Sequence, residues 1–274
     1  MLASVKKIYN EANIAEKIIY INALLFLITV LLSTFIINWF ALPTSLNEFI
    51  TKPWTILSYG FIHQRFFHLL SNLLVLYYIG NLFLTFYSKK TFINFYFLGI
   101  LIGGIGFLIN YYITGKNGMP LGGASAGVTA IFVAIATKIP RYALRLRFIG
   151  SVELWVLAAI WVLLSVLQIT LPDNGPAIAH LSGAIFGFIY VKQLEKGNDI
   201  GKWFENILNY FATWFTPQPK QPFKKVYKTK KKKSTNTEVP KQKKINEILD
   251  KISKSGYESL TKEEKDFLFR AGKK

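Results

Sequence analysis

The chain has 274 residues, of which 51% are hydrophobic and only 18% are charged, a composition that excludes an intrinsically disordered protein and disfavours a single soluble domain. It contains no cysteine, which excludes disulfides, thiolate metal sites and a cysteine nucleophile. The net charge of +18 is concentrated in the tail, because residues 217–274 carry +11 and residues 1–216 carry +7, so nucleic acid is not an expected partner.

Six apolar stretches follow a polar N-terminal segment, residues 1–17. A helix needs about 20 mostly apolar residues to cross a bilayer, and shorter helices can serve inside a bundle. The sequence therefore predicts an all-α membrane protein with a six-transmembrane-helix body over residues 18–195. The predicted spans are Ile18–Trp39, Arg65–Tyr87, Phe92–Ile113, Ala124–Lys138, Val152–Leu171 and Ile178–Val191.

Lysine and arginine are distributed unevenly between the predicted loops, and this bias predicts orientation. Cytoplasmic loops carry an excess of these residues. The basic residues lie before the first span, between the second and third, between the fourth and fifth, and after the sixth. Both termini are therefore predicted to be cytoplasmic. The residues that set this orientation are Lys6, Lys7, Lys17, Lys89, Lys90, Lys138, Arg141, Arg145 and Arg147, together with the basic tail.

The C-terminal part has three predicted pieces. Residues 201–216 place their aromatic and aliphatic side chains on one helical face, which predicts an amphipathic helix lying in the membrane interface. Residues 217–244 are rich in proline, lysine and threonine and predict a basic linker that contacts anionic lipid. Residues 245–274 predict a small helical cytoplasmic tail, in which Thr261 and Glu264 form a capping box at the second helix.

Four polar side chains stand out among those inside the predicted spans, where such groups are costly unless they are paired or functional. They are His68, Asn72, Ser125 and His180, and they belong to the second, fourth and sixth spans. All three of these spans begin on the outer side, so the four groups are predicted to share one depth just below the outer surface. Gly183 follows His180 by three residues, and small residues let membrane helices approach closely. Ser125 is therefore expected within reach of His180.

Other interpretations of these residues stay open at this point. A serine in a membrane helix often bonds its own helix, an asparagine often links two helices, and a histidine can pack, relay protons or ligate a metal. His63 and His68 are five residues apart with no acid between them, which is not the zinc-protease pattern. No metal site and no cofactor are predicted. The spans also lack the two carboxylates that an aspartyl protease needs.

Taken together, these motifs resemble those of the rhomboid family of intramembrane serine proteases. The resemblance covers roughly residues 15–195 and is carried by order and spacing. The sequence departs from the common pattern at Ala126, where glycine is frequent, and at Thr129, where an aromatic residue is frequent. The matching residues are Pro53-Trp54, His63 and His68 with Asn72, Gly123-Ala124-Ser125-Ala126-Gly127, and His180 with Gly183 and Gly187.

The resemblance implies a serine endopeptidase with a Ser-His dyad. Ser125 would be the nucleophile, His180 its general base, and His68 and Asn72 would line an oxyanion hole. His63, Gly123 and Gly183 would be structural residues near the site. The implied substrates are transmembrane proteins cut near the outer surface of the bilayer. A bacterial cytoplasmic membrane is the expected location, and a catalytically weak scaffold that binds client helices is the alternative function.

Overall fold

A computed structural model describes residues 2–116, 118–146, 150–215 and 238–272. The chain divides into two compact units, Met1–Pro217 and Gln218–Lys274. In its described residues the first unit is mainly helical and contains one short hairpin. Its helices are α1 Leu2–Glu11, α2 Ile14–Leu31, α3 Ser33–Phe40, α4 Leu46–Thr51, α5 Thr55–Ser58, α6 Phe66–Phe86, α7 Lys89–Thr114, α8 Ser125–Lys138, α9 Leu154–Gln168, α10 Gly175–Glu195 and α11 Lys202–Phe215.

Four helices of the described chain are long and apolar enough to cross a membrane: α2, α6, α7 and α10. The helices α8 and α9 are apolar but shorter, with 14 and 15 residues. Most of α8 is buried, because α6, α7 and α10 all pack against it. The outer helices instead expose large apolar side chains, such as Leu31 at 81% and Phe67 at 79%. The core of this unit is therefore built around α8.

Local capping explains why several helices begin earlier than the sequence predicted. Asn13 and Glu16 form a capping box, in which each side chain accepts the other's backbone N–H at 3.1 and 2.8 Å, so α2 begins at Ile14 rather than Ile18. Ser88 accepts the Thr91 N–H at 3.1 Å and caps α7. Pro176 lies in the first turn of α10, where its missing N–H has no cost.

The first predicted span, Ile18–Trp39, is not one continuous helix. It breaks at Leu32, and the chain resumes as α3. The hydroxyl of Thr29 donates to the Leu25 carbonyl at 2.8 Å, a side-chain bond that tends to bend helices. Serine is also found at helix kinks, and Ser33 lies just past the break. Hydropathy alone does not detect such a break.

A β-hairpin joins α8 to α9, where the sequence predicted only a basic loop. The strands β1 Ala143–Leu146 and β2 Gly150–Glu153 pair antiparallel, with Ala143 opposite Glu153 and Leu146 opposite Gly150. The fifth helix therefore begins at Leu154 rather than Val152. The predicted all-α architecture is wrong at this hairpin.

The second unit is described from residue 238 and contains α12 Glu238–Ser255 and α13 Lys262–Gly272. The capping box at its second helix is confirmed, since the Thr261 N–H donates to Glu264 at 2.8 Å and the Glu264 N–H donates to the Thr261 hydroxyl at 3.3 Å. The predicted linker was too long at its C-terminal end, because α12 already begins at Glu238. Pro240 is tolerated there because it lies in the first turn of the helix. Residues 217–237 of the predicted linker, and residue 216 before them, lie outside the described residues.

Candidate active site

The loop that leads into Ser125 is fixed by the preceding connection between α3 and α6. Leu42 and Leu121 exchange backbone hydrogen bonds of 2.9 and 2.8 Å, and the Gly123 N–H donates to the Tyr59 carbonyl at 2.9 Å. Gly123 has a φ of +136°, a backbone conformation that side chains rarely adopt. A Cβ on Gly123 would also lie 2.6 Å from Cε1 of His68. Glycine is therefore required at this position, both for its backbone angle and for the space that His68 occupies.

His63 braces the same loop from the side. Its ring is fully buried, and Nε2 accepts the Ala124 N–H at 3.3 Å. Burial lowers the pKa of His63 to about 3, and the nearby His68 acts in the same direction. The imidazole is therefore neutral at physiological pH and keeps the lone pair that the Ala124 amide needs. This arrangement fixes the residue that directly precedes Ser125.

Ser125 and His180 meet across two closely packed helices. Ser125 is the first residue of α8, and His180 lies in the second turn of α10. Ser125 Oγ and His180 Nε2 are 2.6 Å apart. The helices approach this closely because Gly183 faces the backbone of Ala126, where an added Cβ would lie 3.1 Å from the carbonyl carbon. The structure therefore brings these two sequence-selected residues into hydrogen-bond contact.

A cavity of about 340 Å³ opens beside these two groups. Ser125, His180 and His68 line it together. Its other lining residues include the polar side chains Arg65, Gln168 and Asp173 and the apolar side chains Met119, Leu121 and Pro176. Among the residues described, no group of three or more His, Asp or Glu side chains is placed to hold a metal ion. The arrangement places a hydroxyl and an imidazole in hydrogen-bond contact beside an open cavity.

Asn72 is buried one turn beyond His68 on α6 and is not part of the cavity wall. Its Nδ2 donates to the His68 carbonyl at 2.8 Å. A side-chain amide nitrogen carries two hydrogens, so this bond leaves the second N–H for another acceptor. Of the four polar residues selected from the sequence, His68, Ser125 and His180 line the cavity. Asn72 does not line it but bonds the backbone of His68.

Sequence reasoning missed the contribution of α9 to the site. The hydroxyl of Ser165 lies 3.4 Å from His180 Nδ1, and the Trp161 ring centroid lies 6.3 Å from that of His180. The Trp161 indole N–H donates to the Thr129 hydroxyl at 2.9 Å. Thr129 therefore holds an aromatic residue supplied by another helix. The available sequence signal was a serine one turn after a tryptophan inside an apolar span.

Comparison with known protein families gives two matches. The Rhomboid domain family matches residues 51–195, which is more than half of the chain and includes His68, Asn72, Ser125 and His180. A family of unknown function (DUF6576) matches residues 229–274. No curated protein matches the chain.

Proposed function

The chain belongs to the rhomboid family of integral membrane proteins, and from this premise we propose that it is an intramembrane serine endopeptidase. Most members of the family are serine proteases that act within the bilayer on transmembrane substrates. The observation that carries the proposal is the 2.6 Å contact between Ser125 Oγ and His180 Nε2 at the edge of a cavity. A serine hydroxyl becomes an effective nucleophile when a base within hydrogen-bond reach takes its proton.

The proposed reaction proceeds through an acyl-enzyme. Ser125 Oγ attacks the scissile carbonyl carbon while His180 Nε2 takes the hydroxyl proton, which gives a tetrahedral intermediate. The C–N bond then breaks, and the imidazolium returns the proton to the leaving amine. Water repeats the attack on the ester with His180 again acting as base, and Ser125 is released. The cavity beside Ser125 supplies the room for the substrate and this water.

Three donors are proposed to stabilise the negative charge on the intermediate. Ser125 is the first residue of α8, so its backbone N–H has no partner within the helix. His68 lines the cavity and offers a ring N–H. The second N–H of Asn72, which its bond to the His68 carbonyl does not use, is the third proposed donor. Charge-stabilising donors at such a site are worth roughly 3–4 kcal/mol each in soluble serine proteases.

We infer six membrane spans with both termini in the cytoplasm and the site just below the outer surface. The helix α8 is too short to cross a bilayer alone, but it needs no full lipid-facing length because it is surrounded by protein. Ser125, His68 and His180 all lie near the N-terminal ends of their helices. In the inferred topology all three ends face outwards, which gives water access to the cavity. A bacterial cytoplasmic membrane is the proposed location.

The helix α11 is proposed to lie in the cytoplasmic interface of the membrane. It exposes Trp203 at 51% and Ile207 at 44%, whereas Phe204 is buried and its ring centroid lies 6.2 Å from that of Phe97. Glu205 forms an ion pair with Lys90 at the start of α7. The helix is thus attached to the body by one edge and leaves aromatic surface for lipid. The basic segment that follows is proposed to attract anionic headgroups.

The test is cleavage of a model single-span substrate in liposomes by the full-length protein. Wild type is expected to release a soluble fragment, whereas Ser125→Ala and His180→Ala are expected to release none, because dyad members act as a unit. Equal cleavage by wild type and Ser125→Ala would refute the proposed nucleophile. Binding of the substrate without cleavage by wild type would support the alternative, a scaffold for client helices.

A further inference from the structure

We propose that α9 supplies a third member of the site, in which Ser165 orients the His180 ring and Trp161, anchored by Thr129, packs beside it. The inference rests on the proposed function, because it concerns how the general base is held. Ser165, Trp161 and Thr129 are positioning residues, since each acts through His180 or through a neighbour of His180.

The role of His180 as a base determines which ring nitrogen carries its proton. To take a proton from the Ser125 hydroxyl, Nε2 needs its lone pair, so the proton of the neutral ring must lie on Nδ1. The only hydroxyl within hydrogen-bond distance of Nδ1 in the described chain is that of Ser165, at 3.4 Å. Ser165 Oγ therefore accepts the Nδ1–H. Catalytic hydrogen bonds that are long in a free enzyme shorten in the substrate complex.

The Ser165 hydroxyl donates its own hydrogen to the Trp161 carbonyl, at 3.1 Å on the same helix. This bond leaves the lone pairs of Ser165 Oγ facing His180. Ser165 is 3% exposed, so little water competes for these lone pairs. The hydrogen bonds then run in one direction, from Ser125 through His180 and Ser165 to the Trp161 carbonyl. Each donor in this series has one acceptor.

The Trp161 ring packs beside the His180 ring. The Trp161 and His180 rings are inclined by 35°, with centroids 6.3 Å apart. The ring of Trp161 is fixed at two points, by the Thr129 hydroxyl at 2.9 Å and by the edge of Phe132, whose centroid is 6.2 Å away. Thr129 is 1% exposed and lies one turn after Ser125 on α8. The helix that carries the nucleophile thus also fixes the aromatic neighbour of the base.

The arrangement has a chemical consequence. When His180 takes the serine proton, the ring becomes an imidazolium and its Nδ1–H bond to Ser165 becomes charge-assisted. That bond is stronger in the transition state than in the ground state, so it contributes to kcat rather than to substrate binding. A bond of this kind corresponds to roughly a tenfold to hundredfold effect on rate.

The experiment compares kcat and KM of full-length variants in liposomes with the model single-span substrate. Ser165→Ala is expected to lower kcat at least tenfold and leave KM unchanged, and Ser165→Thr, which keeps the hydroxyl, is expected to restore most of the rate. Thr137→Val is the matched control, because the Thr137 hydroxyl bonds its own helix at Val133 with 2.7 Å and lies outside the site. Thermal unfolding in detergent checks that each variant is folded.

The anchoring of Trp161 is tested by a double-mutant cycle. Thr129→Val keeps the shape of the side chain and Trp161→Phe keeps an aromatic ring, and each removes the same hydrogen bond. The double variant is therefore expected to lose no more rate than the worse single variant. If the rate losses of the two single variants multiply in the double variant, the two residues act independently, and the proposed anchoring of Trp161 by Thr129 is wrong. An unchanged kcat in Ser165→Ala, or a change confined to KM, would overturn the role of Ser165. Both results leave the proposed function standing if Ser125→Ala is inactive, so the two failures are distinguishable.

Discussion

Gly183→Ala tests whether the contact between α8 and α10 sets the catalytic geometry. An added Cβ would lie 3.1 Å from the carbonyl carbon and 3.3 Å from the Cα of Ala126, and closer still to its carbonyl oxygen. Ordinary contacts begin near 3.4 Å, and backbone atoms inside a helix cannot turn aside. The two helices must therefore separate by roughly 0.5–1 Å at the residue that follows Ser125.

A separation of this size would lengthen the 2.6 Å contact between Ser125 Oγ and His180 Nε2 to about 3.1–3.6 Å, which weakens the hydrogen bond at the lower end and breaks it at the upper end. A misplacement of about 1 Å costs on the order of 100-fold in rate, so kcat of Gly183→Ala is expected to fall by about that factor. Overpacking is expected to lower the free energy of unfolding by about 1–3 kcal/mol.

The assay is cleavage of the model substrate in liposomes, with thermal unfolding measured in parallel in detergent. Ile185→Ala is the control on the same helix, because the Ile185 side chain is 61% exposed and lies outside the site. It is expected to retain the wild-type rate. Wild-type kcat in a folded Gly183→Ala variant would refute the reasoning, since the helices would then tolerate separation.

Three further predictions concern the oxyanion donors and the tail. Asn72→Ala is expected to lower kcat about 100- to 1,000-fold, measured with the same substrate, and a change in KM alone would contradict the assigned role. Removal of residues 218–274 is expected to leave cleavage intact, because every proposed site residue lies in the first unit; an inactive but folded truncation would contradict this. The Lys251 ammonium lowers the pKa of Glu264 below its ordinary 4.5, so this ion pair stabilises the second unit fully above about pH 4.5 and progressively less as the pH falls through the folded-state pKa. Circular dichroism melts of residues 218–274 should show that loss on acidification, and a Lys251→Gln variant should show less of it.

The sequence predicted the meeting of Ser125 and His180 because two regularities constrain it. Alternation of basic loops places the starts of the second, fourth and sixth spans on one side, and helical spacing puts Gly183 on the face of His180. Small residues then permit close packing, and the structure brings the two side chains to 2.6 Å. Depth and face together therefore fix a contact between residues 55 positions apart.

The contribution of α9 could not be predicted in the same way. Neither Thr129 nor Ser165 is unusual in its own segment, and no spacing rule connects a residue of the fifth span with one of the sixth. The rotation of α9 about its axis decides whether Ser165 faces His180 or lipid, and that rotation depends on packing against α8 and α10.

The most direct measurement for the central claim is the site of covalent labelling by a fluorophosphonate probe, mapped by mass spectrometry on the full-length protein in liposomes. The account predicts one adduct on the Ser125 hydroxyl in the wild type and no adduct there in His180→Ala, because the imidazole must take the hydroxyl proton. Substrate cleavage by a wild-type enzyme whose Ser125 stays unlabelled, or equal labelling in His180→Ala, would contradict it.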